Sequence, residues 1–283
     1  MPPKQLFAFG FGYVATELAR RLGAEGIASS GTVRSEASAA PLRAEGYTVH
    51  IWPGPDSSRE DVTPPPGAAW LISVPPDADG CPVFRSFNHL AHTAHWIGYL
   101  STTGVYGDLA GGWAFEETPL NPQSREAINR ATAEAQWQTA GARIFRLPGI
   151  YGPGRSQLER VREPNVRRIV KPGQLFSRAH VSDIAEALAL AIHTPSATGA
   201  FNICDDEPAP ADEVLTYAAE LLGIAPPPAV NIEDANLSPA AQRFYAECKR
   251  VSNARAKAAL GWRPAFPTYR EGLVDCLLKA MRS

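Results

Sequence analysis

The chain has 283 residues, of which 45% are hydrophobic and 20% charged, and its net charge is −2. This length allows one large core or a core with a smaller second domain, and no stretch approaches the roughly 18 consecutive apolar residues of a membrane span. The small net charge argues against nucleic-acid and membrane-surface partners, and the scattered cysteines resemble no disulfide framework. Because no signal-peptide pattern precedes the first glycine, we expect a reduced, cytoplasmic protein.

The first half of the chain alternates short apolar segments with helical patterns. Val14, Leu18 and Leu22 form a helical stripe. Strands are predicted at "QLFAF", "IASSGTV", "YTVHIW", "AWLISV", "WIGYLS" and "RIFRL". This alternation is typical of parallel βαβ units and predicts an α/β fold with a doubly wound, Rossmann-like parallel sheet.

The second half is more helical and less regular. "SDIAEALALAIH" predicts a helix with Asp183 as N-cap and Glu186 at N3, and Thr268 and Glu271 repeat this capping-box spacing. We predict a dinucleotide-binding domain over residues 1–150, to which residues 179–203 return. A smaller, mainly helical substrate domain is predicted over residues 151–178 and 204–283.

A glycine-rich turn follows the first predicted strand. Gly10, Gly12 and Ala15 form a GxGxxA pattern between that strand and a helix. The first glycine permits a tight turn, the second lets backbone approach a pyrophosphate, and the small third residue lets helix and strand pack closely. The helix N-terminus then favours the phosphate charge. The sequence therefore predicts a dinucleotide cofactor.

The second strand ends at the residues that distinguish NADP from NAD. An acidic residue here would bind the ribose 2′-hydroxyl, but Arg34 and Ser35 occupy this position. A guanidinium beside hydroxyl groups suits a 2′-phosphate, which favours NADP. The alternative is NAD, with Arg34 exposed and Glu36 reaching the ribose.

Five further segments occur in a characteristic order: "STTGVYGD", "EETPLNP", "RIFRLPGIYGPGRS", "RAHVSDIAEAL" and "FNICDDEP". Together they resemble the extended short-chain dehydrogenase/reductases, which include sugar-nucleotide epimerases and dehydratases. The resemblance implies a Rossmann-like domain with a small substrate domain, and often a homodimer. It also implies that Thr102 hydrogen-bonds the reacting oxygen. Further cofactor contacts are implied at Tyr13, Val74, Ser101, Arg130 and Pro148.

The catalytic Tyr and Lys of that family are absent from the expected segment. With Pro122 and Glu134 as anchors, the Tyr position is Glu126 and the Lys position is Arg130. Residues 121–136 contain neither Tyr nor Lys. The chain therefore resembles the atypical extended members, which keep the cofactor fold and the "VYG" turn but lack the active Tyr.

Several residues could replace the missing acid. Glu126 is a candidate general base, and the alternative is a surface residue paired to Arg130 at i,i+4. Arg130 suits the ribose contact, but it cannot release its proton. Tyr106 and Tyr151 are the remaining sources of a phenol, although in the family these two Tyr positions are mainly structural or line the pocket.

The substrate side is locally basic. Residues 155–180 contain seven Arg or Lys and two Glu. In the resembling family this region faces the substrate, often a sugar-nucleotide diphosphate, which arginine binds well. The alternative is a solvated loop. The resemblance implies that the substrate contacts are Thr103, Tyr151, Arg155 and Arg178.

No metal site is predicted. His89, His92 and His95 would spread over a wide arc of a helix, and no Cys or acidic partner lies nearby in the sequence.

Two functions remain open from sequence. The first is an NADP-dependent oxidoreductase or epimerase with non-standard acid/base residues, acting on a small polar or anionic substrate. The second is a non-catalytic NADP(H)-binding sensor or regulatory module. Both share one fold, so the fold alone does not distinguish them.

Overall fold

The computed structural model describes residues 3–58 and 62–282. Strands in this part of the chain are β1 (Gln5–Phe9), β2 (Ala28–Val33), β3 (Thr48–Ile51), β4 (Ala69–Ile72), β5 (Trp96–Thr102), β6 (Trp113–Ala114), β7 (Arg143–Leu147), β8 (Gly149–Tyr151), β9 (Arg168–Val170), β10 (Arg178–His180), β11 (Ala200–Asn202), β12 (Ala229–Asn231) and β13 (Arg250–Val251). Helices are α1 (Tyr13–Gly23), α2 (Glu36–Ala44), α3 (Pro82–Phe87), α4 (Arg125–Thr139), α5 (Gln157–Arg160), α6 (Val181–His193), α7 (Ala211–Leu221), α8 (Pro239–Ala246), α9 (Ala254–Leu260) and α10 (Tyr269–Ala280). Short 3₁₀ helices lie at Asn88–Thr93, Thr103–Tyr106 and Ile232–Asp234.

The main sheet has seven parallel strands in the order β3-β2-β1-β4-β5-β7-β11. Alternate residues of β1 enter two different cores, since Leu6 packs with α1 and α6 while Phe7 packs with α3 and α4. The sheet is therefore covered by helices on both faces. This confirms the predicted α/β, doubly wound, Rossmann-like fold.

A smaller set of elements lies beyond the carboxyl ends of β5 and β7. Strand β8 pairs with β10, and β9 pairs with β12. Helices α5, α7 and α10 enclose a separate apolar core that contains Tyr151, Leu158, Val214 and Leu273. A two-residue pairing of β6 with β13 ties the chain near residue 250 to the loop that follows β5. No helix in residues 3–58 and 62–282 is long and apolar enough to cross a membrane.

One of the two predicted capping boxes is wrong and the other is confirmed. Helix α6 begins at Val181, and its N-cap is His180 rather than Asp183. The Asp183 carboxylate instead accepts the backbone N–H groups of Ala265 and Phe266, at 2.7 and 3.1 Å. These donors come from a distant segment, which the local spacing could not reveal. At α10, Thr268 and Glu271 form the predicted capping box.

Candidate functional site

The loop between β1 and α1 requires glycine at its first position. Gly10 has φ +86°, and a side chain there would meet Ser73 Oγ at 3.0 Å. The Gly10 N–H donates to Thr32 Oγ1 at 3.1 Å, and Ser73 Oγ donates to the Gly10 carbonyl at 2.9 Å. The turn is therefore fixed from both neighbouring strands.

The second glycine faces open space. No described atom lies within 4 Å of the point where a Gly12 side chain would begin. Helix α1 starts immediately afterwards, with no side-chain cap and no acidic residue in its first turn. Ala15 is fully buried, which allows the close packing that its position requires. A cleft of about 480 Å³ opens at this helix end, lined by Gly10, Gly12, Arg34, Ser73 and Val74 among others. Unpaired N–H groups, a favourable dipole and this space fit a dinucleotide pyrophosphate.

The tip of β2 presents a cation to the same cleft. Arg34 and Ser38 line it, and the Arg34 guanidinium has no partner within the described residues. Ser35 Oγ lies 3.2 Å from Ser38 Oγ. Glu36 turns away and pairs with Arg43 at 2.6 Å. The local charge at this end of the cleft is positive, which suits a phosphate better than a bare ribose.

Thr102 ends β5 at the wall of a second cavity of about 390 Å³. We call this the threonine cavity, and its wall includes Thr102, Thr103, Pro148, Phe244, Glu247 and Lys249. Thr102 Oγ1 accepts the Gly104 N–H at 3.1 Å, which caps the short helix of the "VYG" turn. Its own hydroxyl proton has no acceptor in the described chain, so Thr102 can donate to a substrate oxygen. Neither Lys249 nor Glu247 was singled out by sequence, because both lie more than 140 residues from Thr102.

Ser101 and Tyr106 belong to a buried network rather than to this cavity. Ser101 Oγ donates to Glu134 at 2.5 Å, and Arg146 Nη2 reaches the same carboxylate at 2.8 Å. Tyr106 accepts from Arg146 at 2.9 Å and donates to Asn202 at 2.7 Å. Burial also raises the pKa of Tyr106, which makes its phenol a weaker acid. The geometry therefore gives Ser101 and Tyr106 structural roles.

The expected pair between Glu126 and Arg130 does not form, so that part of the alternative is wrong, although Glu126 does lie at the surface. Arg130 Nη1 points inward and donates to the Leu100 carbonyl at 2.5 Å. The Glu126 side chain is 72% exposed, and its nearest cation is Arg243 at 3.8 Å. The Leu100 carbonyl of β5 therefore holds the Arg130 guanidinium. A buried carbonyl is stabilised more by this hydrogen bond than the solvent-exposed Glu126 carboxylate would be.

A third cavity, of about 330 Å³, adjoins the threonine cavity. We call it the arginine cavity, because Arg160, Arg167, Arg168 and Arg178 line it and, among the described residues, no acidic side chain does. The two cavities share Gly149, Phe176, Ser177 and Phe244 as a common wall. Tyr151 also lines the arginine cavity.

Arg178 is the most deeply set of these cations. It is 9% exposed, and its Nη2 donates to the Ala209 carbonyl at 3.1 Å. Its Nη1 has no hydrogen-bond partner within the described residues, and neither has the buried Tyr151 hydroxyl. Buried donors without partners are costly, and a bound anion would satisfy the Arg178 donor.

Two other predicted residues lie at the edge of these spaces. The Tyr13 hydroxyl donates to the Pro153 carbonyl at 3.1 Å, which joins α1 to the loop after β8. The Arg155 guanidinium lies 5.8 Å from the Tyr13 ring centroid and does not line the arginine cavity.

The residues His89, His92 and His95 lie on or after the short helix Asn88–Thr93. Among residues 3–58 and 62–282 no group of three or more His, Cys, Asp or Glu is placed to hold a metal ion.

Asp205 is buried and interacts electrostatically with Arg178. Its titration makes the free energy of unfolding depend on pH. Burial raises the pKa of Asp205 to about 8, against the lowering effects of Arg178 and the Glu207 backbone. An unfolded Asp titrates near 3.9, so between about pH 4 and pH 8 the native chain binds one more proton. This contribution to the free energy of unfolding therefore decreases as pH rises through that window.

We expect the free energy of unfolding of Asp205→Asn, relative to that of the unsubstituted protein, to increase as pH rises from 5 to 8. The reason is that Asn does not titrate, whereas the unsubstituted protein loses stability over this range. Urea denaturation at several pH values measures this difference, with the exposed Asp234→Asn as control. A difference that stays constant with pH would show that Asp205 has an ordinary pKa.

Comparisons with known proteins found several proteins that are similar to this chain. No family model matches the chain. A conserved protein of unknown function from Silicibacter pomeroyi is 43% identical, with 98% of this chain and 99% of that chain covered and a TM-score of 0.90. A Methylobacillus flagellatus protein, named as an NAD-dependent epimerase/dehydratase, is 28% identical over the full length of both chains, with a TM-score of 0.78. A Streptomyces 3-diazoavenalumate denitrifying reductase is 28% identical over 214 residues, which are 64% of this chain and 68% of that protein.

Proposed function

We propose that this chain is a member of the extended short-chain dehydrogenase/reductase family and an NADP-dependent oxidoreductase or epimerase that acts on a small anionic substrate. The observation that carries the proposal is the wall shared by the threonine and arginine cavities. One molecule can therefore place a reacting oxygen at Thr102 and an anionic group at Arg178.

The cofactor assignment rests on the cleft at Gly10 and Gly12. A dinucleotide pyrophosphate would lie at the N-terminus of α1, and Arg34 would contact the 2′-phosphate of NADP. When bound, the nicotinamide supplies a hydride to the substrate carbon or accepts one from it. The names of the Methylobacillus and Streptomyces proteins, an NAD-dependent epimerase/dehydratase and a reductase, support this chemistry.

The substrate assignment rests on charge and burial. The Thr102 hydroxyl would donate to the substrate oxygen and hold it beside the nicotinamide. Arg178 would bind the anionic group through its free Nη1, with Arg160 and Arg167 adding positive charge at the cavity wall. The ligand is therefore a carbonyl compound or alcohol that also carries a carboxylate or phosphate.

The test compares two matched aldehydes. With NADPH, we expect 4-carboxybenzaldehyde to be reduced with a kcat/KM at least about 10-fold above that of its uncharged methyl ester, because a hydrogen bond to a charged group contributes roughly 1.5–3 kcal/mol. Arg178→Met should bring the two rates close together. Asp205 behind it is largely protonated at neutral pH, so the variant leaves no fully ionised carboxylate without a cation.

Arg155→Met is the matched control, since Arg155 lies outside the arginine cavity. It should keep the preference for the acid. Equal rates for acid and ester in the unsubstituted protein would contradict the anion site. Absence of NADPH oxidation with either aldehyde would contradict the hydride-transfer function and favour a sensor.

A further inference from the structure

A charged pair, Lys249 and Glu247, lines the threonine cavity. Lys249 is 9% exposed, and its Nζ donates to the Gly107 carbonyl at 2.7 Å and to Glu247 Oε2 at 2.5 Å. An ammonium group has three donors, so one N–H remains without a partner in the described chain. Because Lys249 and Thr102 line the same cavity, this donor is available to a molecule bound at Thr102.

The chain around Lys249 is fixed against the "VYG" turn. The Cys248 N–H donates to Asp108 at 2.7 Å, directly after Gly107. The following strand, β13, pairs with β6, and the Val251 N–H donates to Ser177 at 3.1 Å. The backbone is thus fixed on both sides of Lys249, and Gly107 and Glu247 hold its ammonium, as a positioned proton donor requires.

The other polar side chains of the cavity cannot supply a proton. Arginine side chains do not act as proton donors in proteins, which excludes Arg243, and the Thr102, Thr103 and Ser124 hydroxyls are too weakly acidic. Glu247 serves as acceptor for the ammonium. Thr102 can donate a hydrogen bond, but among the described residues that line this cavity Lys249 is the one that can transfer a proton to the substrate.

We propose that Lys249 is the catalytic acid/base of this protein and takes the place of the Tyr of the family. This inference rests on the proposed function. In reduction, the carbonyl carbon would gain a hydride from NADPH, which is thereby oxidised to NADP⁺, and the π electrons of the C=O bond would move to oxygen. A Lys249 N–H bond then breaks, its electrons stay on nitrogen, and the proton forms the O–H bond of the alcohol. Solvent reprotonates the neutral amine, and in oxidation the amine accepts the proton.

The first test compares Lys249→Arg and Lys249→Ala in the reduction of 4-carboxybenzaldehyde by NADPH. Arginine keeps the charge and can donate to Gly107 and Glu247, but it does not release a proton. We expect both variants to lose about 10²–10⁴ in kcat with little change in NADPH affinity, and added methylamine to restore part of the rate of Lys249→Ala only. Lys171→Ala is the matched control, because Lys171 holds the neighbouring Tyr245 carbonyl at 2.5 Å but lines neither cavity.

A second test needs neither cofactor nor turnover. The aldehyde forms an imine with a nearby amine, which cyanoborohydride reduces to a stable adduct that mass spectrometry locates. We expect an adduct at Lys249 that is lost when terephthalate fills the cavities, while the adduct at Lys279, whose side chain is 45% exposed, is unaffected. An adduct at Lys249 that terephthalate does not suppress would overturn its placement.

The outcomes separate the two claims. Full activity of Lys249→Arg would overturn the role of Lys249 and leave the proposed function intact. No turnover by the unsubstituted protein would overturn the proposed function, and the catalytic role of Lys249 with it.

Discussion

Gly12→Asp weakens NADPH binding by roughly 1,000-fold while the protein stays folded: this is the first result that we expect. Gly12 is the N-cap of α1 with φ −103°, and apart from its own chain neighbours no described atom lies within 4 Å of the position of its new side chain. Aspartate is a favourable N-cap, so the helix should not lose stability. Its charge, however, lies where the pyrophosphate would bind. Two like charges about 4 Å apart cost about 4 kcal/mol at an effective dielectric constant near 20, which is a roughly 1,000-fold loss of affinity.

Gly12→Asn is the control for this substitution, because it has the same shape and capping ability without the charge. Calorimetric titration with NADPH should show a much smaller loss for Asn than for Asp. Thermal unfolding should show that both variants remain folded. Equal NADPH affinities for the Asp variant and the unsubstituted protein would place the cofactor elsewhere.

Arg146→Met lowers the free energy of unfolding by about 3–5 kcal/mol, because it leaves a buried carboxylate without its cation. Glu134 is 1% exposed and Arg146 is 4% exposed, and the guanidinium meets both carboxylate oxygens. The same substitution removes a donor from Tyr106. Urea denaturation measures the loss.

The double variant Glu134→Gln/Arg146→Met tests the cause. Without the carboxylate, no uncompensated charge remains, so the double variant should be more stable than Arg146→Met alone. Additive losses from the two substitutions would show that packing, and not charge, accounts for the effect.

Local patterns predicted the sheet and the cofactor loop well. Each of the six strand segments matches one strand of the main sheet, and β5 runs one residue beyond its segment, because buried parallel strands are apolar along their length. Glycine is required at position 10 by a turn of only a few consecutive residues, so the local sequence is enough to predict it. Where the chemistry depends on neighbours in sequence, a single sequence is informative.

Contacts between distant segments were not predictable. Arg130 has the correct spacing to pair with Glu126, but a carbonyl of β5 competes for it and binds it. Lys249 reaches the "VYG" turn only because β13 pairs with β6. No periodicity or motif around residue 249 indicates this contact, since it depends on how the small elements fold back over the sheet.

The central claim is that the cleft at Gly10 and Gly12 binds a nicotinamide cofactor, and calorimetric titration of the unsubstituted protein with NADPH and with NADH tests it most directly. We expect NADPH to bind at least about 10-fold more tightly than NADH, through a charged hydrogen bond from Arg34. Tighter binding of NADH would contradict the role of Arg34. Binding of neither nucleotide would contradict the cofactor site and the catalytic roles that depend on it.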